Sequence, residues 1–215
     1  MAFSDTKPIH AEGVFVLLAE KEDDNNEALR SALRLYLLSL PLEDTQVPLA
    51  DGRVVSKRER AVVVKNGEVA SWGDQELVSL KPEDYGVITG AIDANDASPI
   101  QASMREAMEE CELTLDPTRL IQVERGGNIE VDQHRNGTEY TFVVNGSLYL
   151  MTPEEKEALA QNMRRTGRNI VELHWKGNER DVALFSENTP NINLRPVARA
   201  VLQLLTGLED PITFK

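Results

Sequence analysis

Glu106, Glu109 and Glu110 crowd into the nine-residue stretch REAMEECEL (105–113), with Arg105 at its head. On a helix, residues three and four apart are neighbours. Glu106 would then abut both Glu109 and Glu110, and Arg105 would reach Glu109. One guanidinium cannot neutralise three carboxylates. Two surroundings satisfy such a face. Water is one, since like charges at this spacing cost only a few tenths of a kcal/mol per pair in solvent. A hard cation is the other. A hard divalent cation takes carboxylate oxygens as ligands and can bridge them to a small anion.

The elements that must position these side chains are legible nearby. Ser98-Pro99-Ile100-Gln101 has the order of a capping box, with proline at the first helical position, and predicts a helix over 98–112. Met104, Ala107, Met108 and Cys111 follow at helical spacing and are expected to face the core. Cys111 is read as a buried, inert thiol, since no histidine lies near it in sequence. The preceding GVITGAI (86–92) predicts a strand ending near Gly90.

The rest of the chain alternates strands and helices. GVFVLLA (13–19) reads as a buried strand and the acidic EKEDDNN after it as a solvated turn. Residues 27–40 put Leu29, Leu33, Tyr36, Leu37 and Leu40 on one helical face, with Pro41 stopping the helix. Asn66-Gly67 between apolar runs predicts a hairpin. LIQVE, NIEVDQH, TEYTFVV, SLYLM and NIVELHW read as strands, with turns at Gly126-Gly127 and Asn136-Gly137. Thr152-Pro153-Glu154-Glu155 opens a helix to about Arg165, and PVARAVLQLLTG closes on Gly207. The expected fold is α+β: a mixed sheet sandwiched by helices over 57–215, preceded by a strand-plus-helix extension over 1–56.

Composition narrows the partners. The net charge is −13 and the pI about 4.7, so the cationic surplus that duplex nucleic acid demands is missing. A small anionic ligand bridged by a divalent cation is compatible with that charge. One cysteine excludes an intrachain disulfide. No basic-then-apolar leader and no membrane-length apolar run is visible, so a cytoplasmic protein is expected, away from membranes. His10, His134 and His174 are too scattered for a histidine metal site or triad. Asp93-x-Asn95 begins like a calcium loop but lacks the glycine and glutamate that complete one. Tyr85, Tyr140, Phe142 and Trp175 could stack on a base, though aromatic residues more often pack in cores.

The order Arg105-Glu106-x-x-Glu109-Glu110-x-x-Leu113 resembles the second half of the Nudix box, G-x5-E-x7-R-E-U-x-E-E-x-G-U, where U is bulky and apolar. A strand, a glycine-containing loop (TGAIDAND) and Ser-Pro opening the helix agree with it, and the resemblance covers roughly 58–206. At strict spacing the box glycine is Ala91, its first glutamate Ala97, its first apolar position Ala107 and its last glycine Glu112. A one-residue insertion would instead use Gly90 and Asp96. The resemblance implies a Nudix-like fold and Mg2+- or Mn2+-dependent hydrolysis of a nucleoside diphosphate linked to another moiety. It implies Glu106, Glu109 and Glu110 as metal ligands, with a backbone carbonyl from Gly90 or Ala91. Arg105 would be structural, paired with Glu109 or Asp96. Glu154, Glu155 and Glu172 are the candidates for a general base. The missing first glutamate leaves open a catalytically weak or inactive nucleotide-binding or regulatory module. The extension could pack on the sheet or make a homodimer contact.

Overall fold

The computed structural model describes residues 9–21, 33–70, 77–123, 128–135, 138–175, 183–184 and 192–206. Its strands are β1 (Ile9–Lys21), β2 (Leu33–Ser39), β3 (Gln46–Pro48), β4 (Val54–Ser56), β5 (Arg58–Lys65), β6 (Glu68–Ala70) and β7 (Val78–Ser79). They continue with β8 (Tyr85–Gly86), β9 (Ile88–Ala91), β10 (Leu120–Gln122), β11 (Asn128–Arg135), β12 (Thr138–Leu150), β13 (Ile170–Trp175) and β14 (Ala183–Leu184). The helices are α1 (Pro99–Cys111), α2 (Pro153–Arg165) and α3 (Pro196–Thr206). All strands but β3 and β4 join one mixed, mostly antiparallel sheet, whose main path runs β14-β13-β2-β1-β12-β11-β5-β6. Among the described residues, no helix is long and apolar enough to cross a membrane.

The sheet is covered on both faces. Phe15, Leu17 and Ala19 point to one side, with Leu33, Leu35 and Leu37, and meet Val197, Ala198 and Val201 of α3. Val16 and Leu18 point to the other, with Tyr36, Leu38 and Ile88, and meet Ala107 and Cys111 of α1 and Leu159 and Met163 of α2. This alternation corrects the helix expected over 27–40. Its described part, from Leu33 on, is strand β2, while residues 27–32 lie outside the described residues. A strand buried on both faces carries an unbroken apolar run. Such a run satisfies helical spacing as readily as strand alternation, so periodicity could not separate the two.

β1 and β2, expected as part of an extension, are central strands. β1 runs parallel to β12 from Ile9 opposite Tyr140 to Ala19 opposite Leu150. Its other edge is divided. Leu18–Lys21 pair with β2, whereas Gly13–Val16 pair with β9. β1 and β2 therefore splay, and the segment carrying β8 and β9 enters the fork, with β8 on β2 and β9 on β1. That fork fixes Thr89 and Gly90 ahead of the loop into α1.

TEYTFVV and SLYLM form one strand rather than two. β12 continues through Gly146, where a Cβ would lie 2.1 Å from the tip of the buried Phe15 ring. Glycine serves ring packing there, not a turn. The Asn66-Gly67 hairpin is present, both residues having positive φ as a two-residue turn requires. The turns at 126–127 and 136–137 and the helix end at Gly207 lie outside the described residues. Deleting residues 1–40 should leave a chain without cooperative unfolding in urea, because β12 and β13 each lose a neighbour. A truncated protein that unfolds as sharply as the full chain would contradict this arrangement.

Candidate functional site

α1 begins as its sequence specifies. The Ser98 hydroxyl accepts from Gln101 N at 3.2 Å, and Gln101 Oε1 accepts from Ala97 N at 2.8 Å. At its other end Glu112 adopts a left-handed conformation, φ 54°, where the resemblance places glycine. A side chain there is strained by about 1 kcal/mol. Glu112 is held by an ion pair with Arg165 and by Asn162 Nδ2 donating to its carbonyl at 3.2 Å. Glu112→Gly should therefore raise stability by roughly 0.5–1 kcal/mol in urea denaturation. Destabilisation would show that the Arg165 pair outweighs the strain.

The apolar face of α1 is narrower than expected. Ala107 and Cys111 are fully buried and Met104 packs partly against the same cluster, but Met108 is 44% exposed. Glu106 takes the inward place instead, at 9% exposure, because its carboxylate has a specific seat. A Cβ on Gly90 would lie 1.8 Å from the Glu106 carboxyl carbon and 1.9 and 2.3 Å from its oxygens. Only glycine at position 90 leaves that space. Cys111 is buried, as expected, and burial pushes its thiol up to about 12.

Arg105 ties α1 to the loop before it. Its NH2 donates to Asp96 Oδ2 at 2.9 Å and to the Ala91 carbonyl at 2.8 Å, and its Nε reaches Asp96 Oδ1 at 3.3 Å. Its NH1 donates to Glu106 Oε1 at 2.6 Å and to Glu109 Oε2 at 3.2 Å. Both expected partners, Asp96 and Glu109, are thus engaged together. The Arg105 guanidinium and the Asp93 N–H hold the Asp96 carboxyl below the usual range. Asp93 itself lies 3.7 Å from Arg105, so the short acidic loop is organised around the arginine.

Glu110 meets the same strand end one residue earlier, at Thr89. Its Oε1 accepts from Thr89 N at 2.9 Å. The residue keeps some exposed surface, yet its carboxyl is enclosed. Burial pushes it up to about 7, against the Thr89 N–H and the charges of Arg195 and Arg168. Burial likewise raises Glu106 above the ordinary range, opposed by Arg105. Glu109 is exposed. Between pH 4.5 and 7 folded Glu110 therefore holds a proton that the unfolded chain has lost, so its contribution to stability falls as pH rises through that window. Glu110→Gln keeps the acceptor and removes the charge. In chelator-treated buffer it should match the parent near pH 5 and exceed it by on the order of 2 kcal/mol at pH 8. Parallel pH–stability curves would refute the buried position of this carboxyl.

A buried polar group borders the same strand. Glu59, fully buried, accepts from Arg195 NH2 at 2.9 Å, Gln133 Nε2 at 3.2 Å and Val197 N in the first turn of α3 at 3.2 Å. Arg195 NH1 donates to Thr89 Oγ1 at 3.0 Å. Arg195, Gln133, Thr89, Gly90 and Phe142 line an open cleft of about 100 Å³. Phe142 stacks on Tyr140 with centroids 6.2 Å apart, whereas Tyr85 packs on the core. The side chain of Trp175 lies outside the described residues. Sequence reasoning did not reach Glu59, Thr89, Gln133 or Arg195. The only local trace was Arg195 standing before the proline that opens α3.

The candidate bases lie apart from these groups. Glu155 completes the α2 capping box and accepts from both terminal nitrogens of Arg119 and from Tyr149 OH. Glu154 is exposed in the first turn of α2, and Glu172, on β13, pairs with Arg34 of β2 at 3.5 Å. None of the three contacts Glu106, Glu109 or Glu110. For a divalent cation, α1 supplies hard oxygen donors of the right kind beside Gly90. Arg105 occupies an oxygen of both Glu106 and Glu109, and among the described residues no three His, Cys, Asp or Glu side chains converge as a ready cation site. The chain matches no protein-family model and no curated protein sequence.

Proposed function

We propose that the protein has a Nudix-like fold and hydrolyses the pyrophosphate bond of a nucleoside diphosphate linked to a second moiety, with Mg2+ or Mn2+. The observation that carries this reading is the seat of Glu106 in the space a Cβ on Gly90 would fill, with Arg105 binding Asp96 and the Ala91 carbonyl. The box-like order of residues thereby acquires a three-dimensional reason. Asp96 supplies the acid that the strict spacing lacks at Ala97, which favours the register with one inserted residue.

Glu106, Glu109 and Glu110, with the Gly90 carbonyl, would hold the cation, which when bound supplies neutralisation of phosphate charge and a more acidic water. The chain's own residues do the positioning. Arg105 orients Glu106 and Glu109 on a rigid helix. Thr89 N fixes Glu110, and Arg195 fixes Thr89. Burial raises the proton affinity of Glu106 and Glu110 despite Arg105, Arg195 and Arg168, a cost that a bound cation would offset.

A second reading, a nucleotide-binding module with little turnover, is favoured by one observation: Arg105 already occupies two of the three carboxylates. The two readings separate on a panel of ADP-ribose, dinucleoside polyphosphates, nucleotide sugars, NADH and nucleoside triphosphates, with Mg2+ and Mn2+ tested separately. Metal-dependent release of phosphate or nucleotide is expected, falling at least about 100-fold in Glu106→Gln and in Glu109→Gln/Glu110→Gln. Gly90→Ala, which evicts the Glu106 carboxylate, should lose activity to a similar degree while still folding. Binding without turnover would support the module. Full activity in all three variants would remove α1 from the chemistry.

A further inference from the structure

A second cavity, about 280 Å³, opens between α2 and β13. Ile170 and Ala160, both half-buried, give it an apolar surface, with the fully buried Leu159 and Met163 behind them. Lys156, Arg164 and Arg168 stand on its walls. The one carboxylate on its lining, Glu172, has Arg34 at 3.5 Å. We propose that this cavity binds a small organic anion, its apolar body against Ile170 and Ala160 and its carboxylate or related oxyanion against Arg164 and Arg168. The proposal does not rest on the pyrophosphohydrolase reading.

Charge and preorganisation carry it. In a chain of net charge −13, a lining with three cations, one of them (Lys156) paired with Glu20, and one carboxylate paired with Arg34 is a local reversal of sign. Arg168 is held in place by Nε donating to the Ser39 carbonyl at 2.7 Å and by NH1 donating to the Glu110 carbonyl. A cation fixed in this way loses little freedom on meeting an anion. Arg164 is exposed and makes no ion pair among the described residues. Cations in the last turn of a helix complement its dipole, which accounts for Arg164 and Arg165. It does not account for Lys156, a turn from the other end, or for the half-buried Ile170 and Ala160 beside these cations. Lys156 is tethered by Glu20 at 2.9 Å and lies over the buried Tyr36 ring, which holds that cation in place on one wall. The volume approaches the lower end of small-ligand pockets, about 300 Å³.

Octanoate is the probe, titrated into the full chain in metal-free buffer and followed by amide chemical shifts. Saturable shifts confined to α2 and the first residues of β13 are expected. Octyltrimethylammonium, with the same tail and opposite charge, should leave those amides unmoved. Arg164→Glu should weaken octanoate by about tenfold. Ala160→Phe, which fills the cavity from α2, should abolish the localised shifts, and both variants should retain the remaining spectrum. Absent or scattered shifts, equal binding of the cationic analogue, or undiminished affinity in both folded variants would overturn the proposal.

Discussion

The parallel pairing of β1 with β12 is the constraint on which the rest of the structure hangs. It joins the start of the chain to its middle, Ile9 to Tyr140, across more than a hundred intervening residues. Closing so large a loop costs entropy that local contacts cannot repay. The ladder must be secured by burial, and it is: Val14 through Ala19 are all essentially inaccessible. Because helices cover both faces, β1 can be apolar at every position from Val14 to Ala19. Because its far edge is divided between β2 and β9, the sheet forks, and the fork delivers Thr89 and Gly90 to one place.

Around that fork the molecule concentrates charges that burial disfavours. Glu59 and Arg195 are enclosed together, each with further hydrogen bonds, the condition under which a buried pair is tolerated. Arg195 bonds the Thr89 hydroxyl, the Thr89 N–H bonds Glu110, and Glu106 fills the Cβ space of Gly90. The result is a strand end flanked by two carboxyls with raised affinity for protons. That raised proton affinity, which persists beside Arg105, Arg195 and Arg168, is what supports the proposed cation site.

Arg105 limits this reading and sharpens it. By holding Asp96, Ala91, Glu106 and Glu109 together it makes the loop and helix one rigid unit. The same bonds occupy oxygens that a metal would use. A catalytic site would require Glu109, the exposed member, to exchange the arginine for the cation. A binding module would require no such exchange.

Local order was legible in the sequence wherever the signal was a hydrogen bond between near neighbours. The caps at Ser98 and Thr152, the Asn66-Gly67 hairpin, the α1 and α2 helices and the Arg105 partners belong to this class, since each depends on spacings of a few residues. The helix over 27–40 failed because a strand buried on both faces has no polar side to mark its period. Met108 and Glu106 exchanged their expected environments because a seat over Gly90, set by β9, outweighed the helix's own pattern. Glu59, Arg195 and Gln133 were invisible because their meaning lies in one another, across separations of seventy to nearly one hundred and forty residues. The sequence alone determined which segment carries the carboxylates and how its helix begins. Tertiary structure decided which carboxylates are buried, what neutralises them and where the cleft opens, because those outcomes depend on long-range pairing and desolvation.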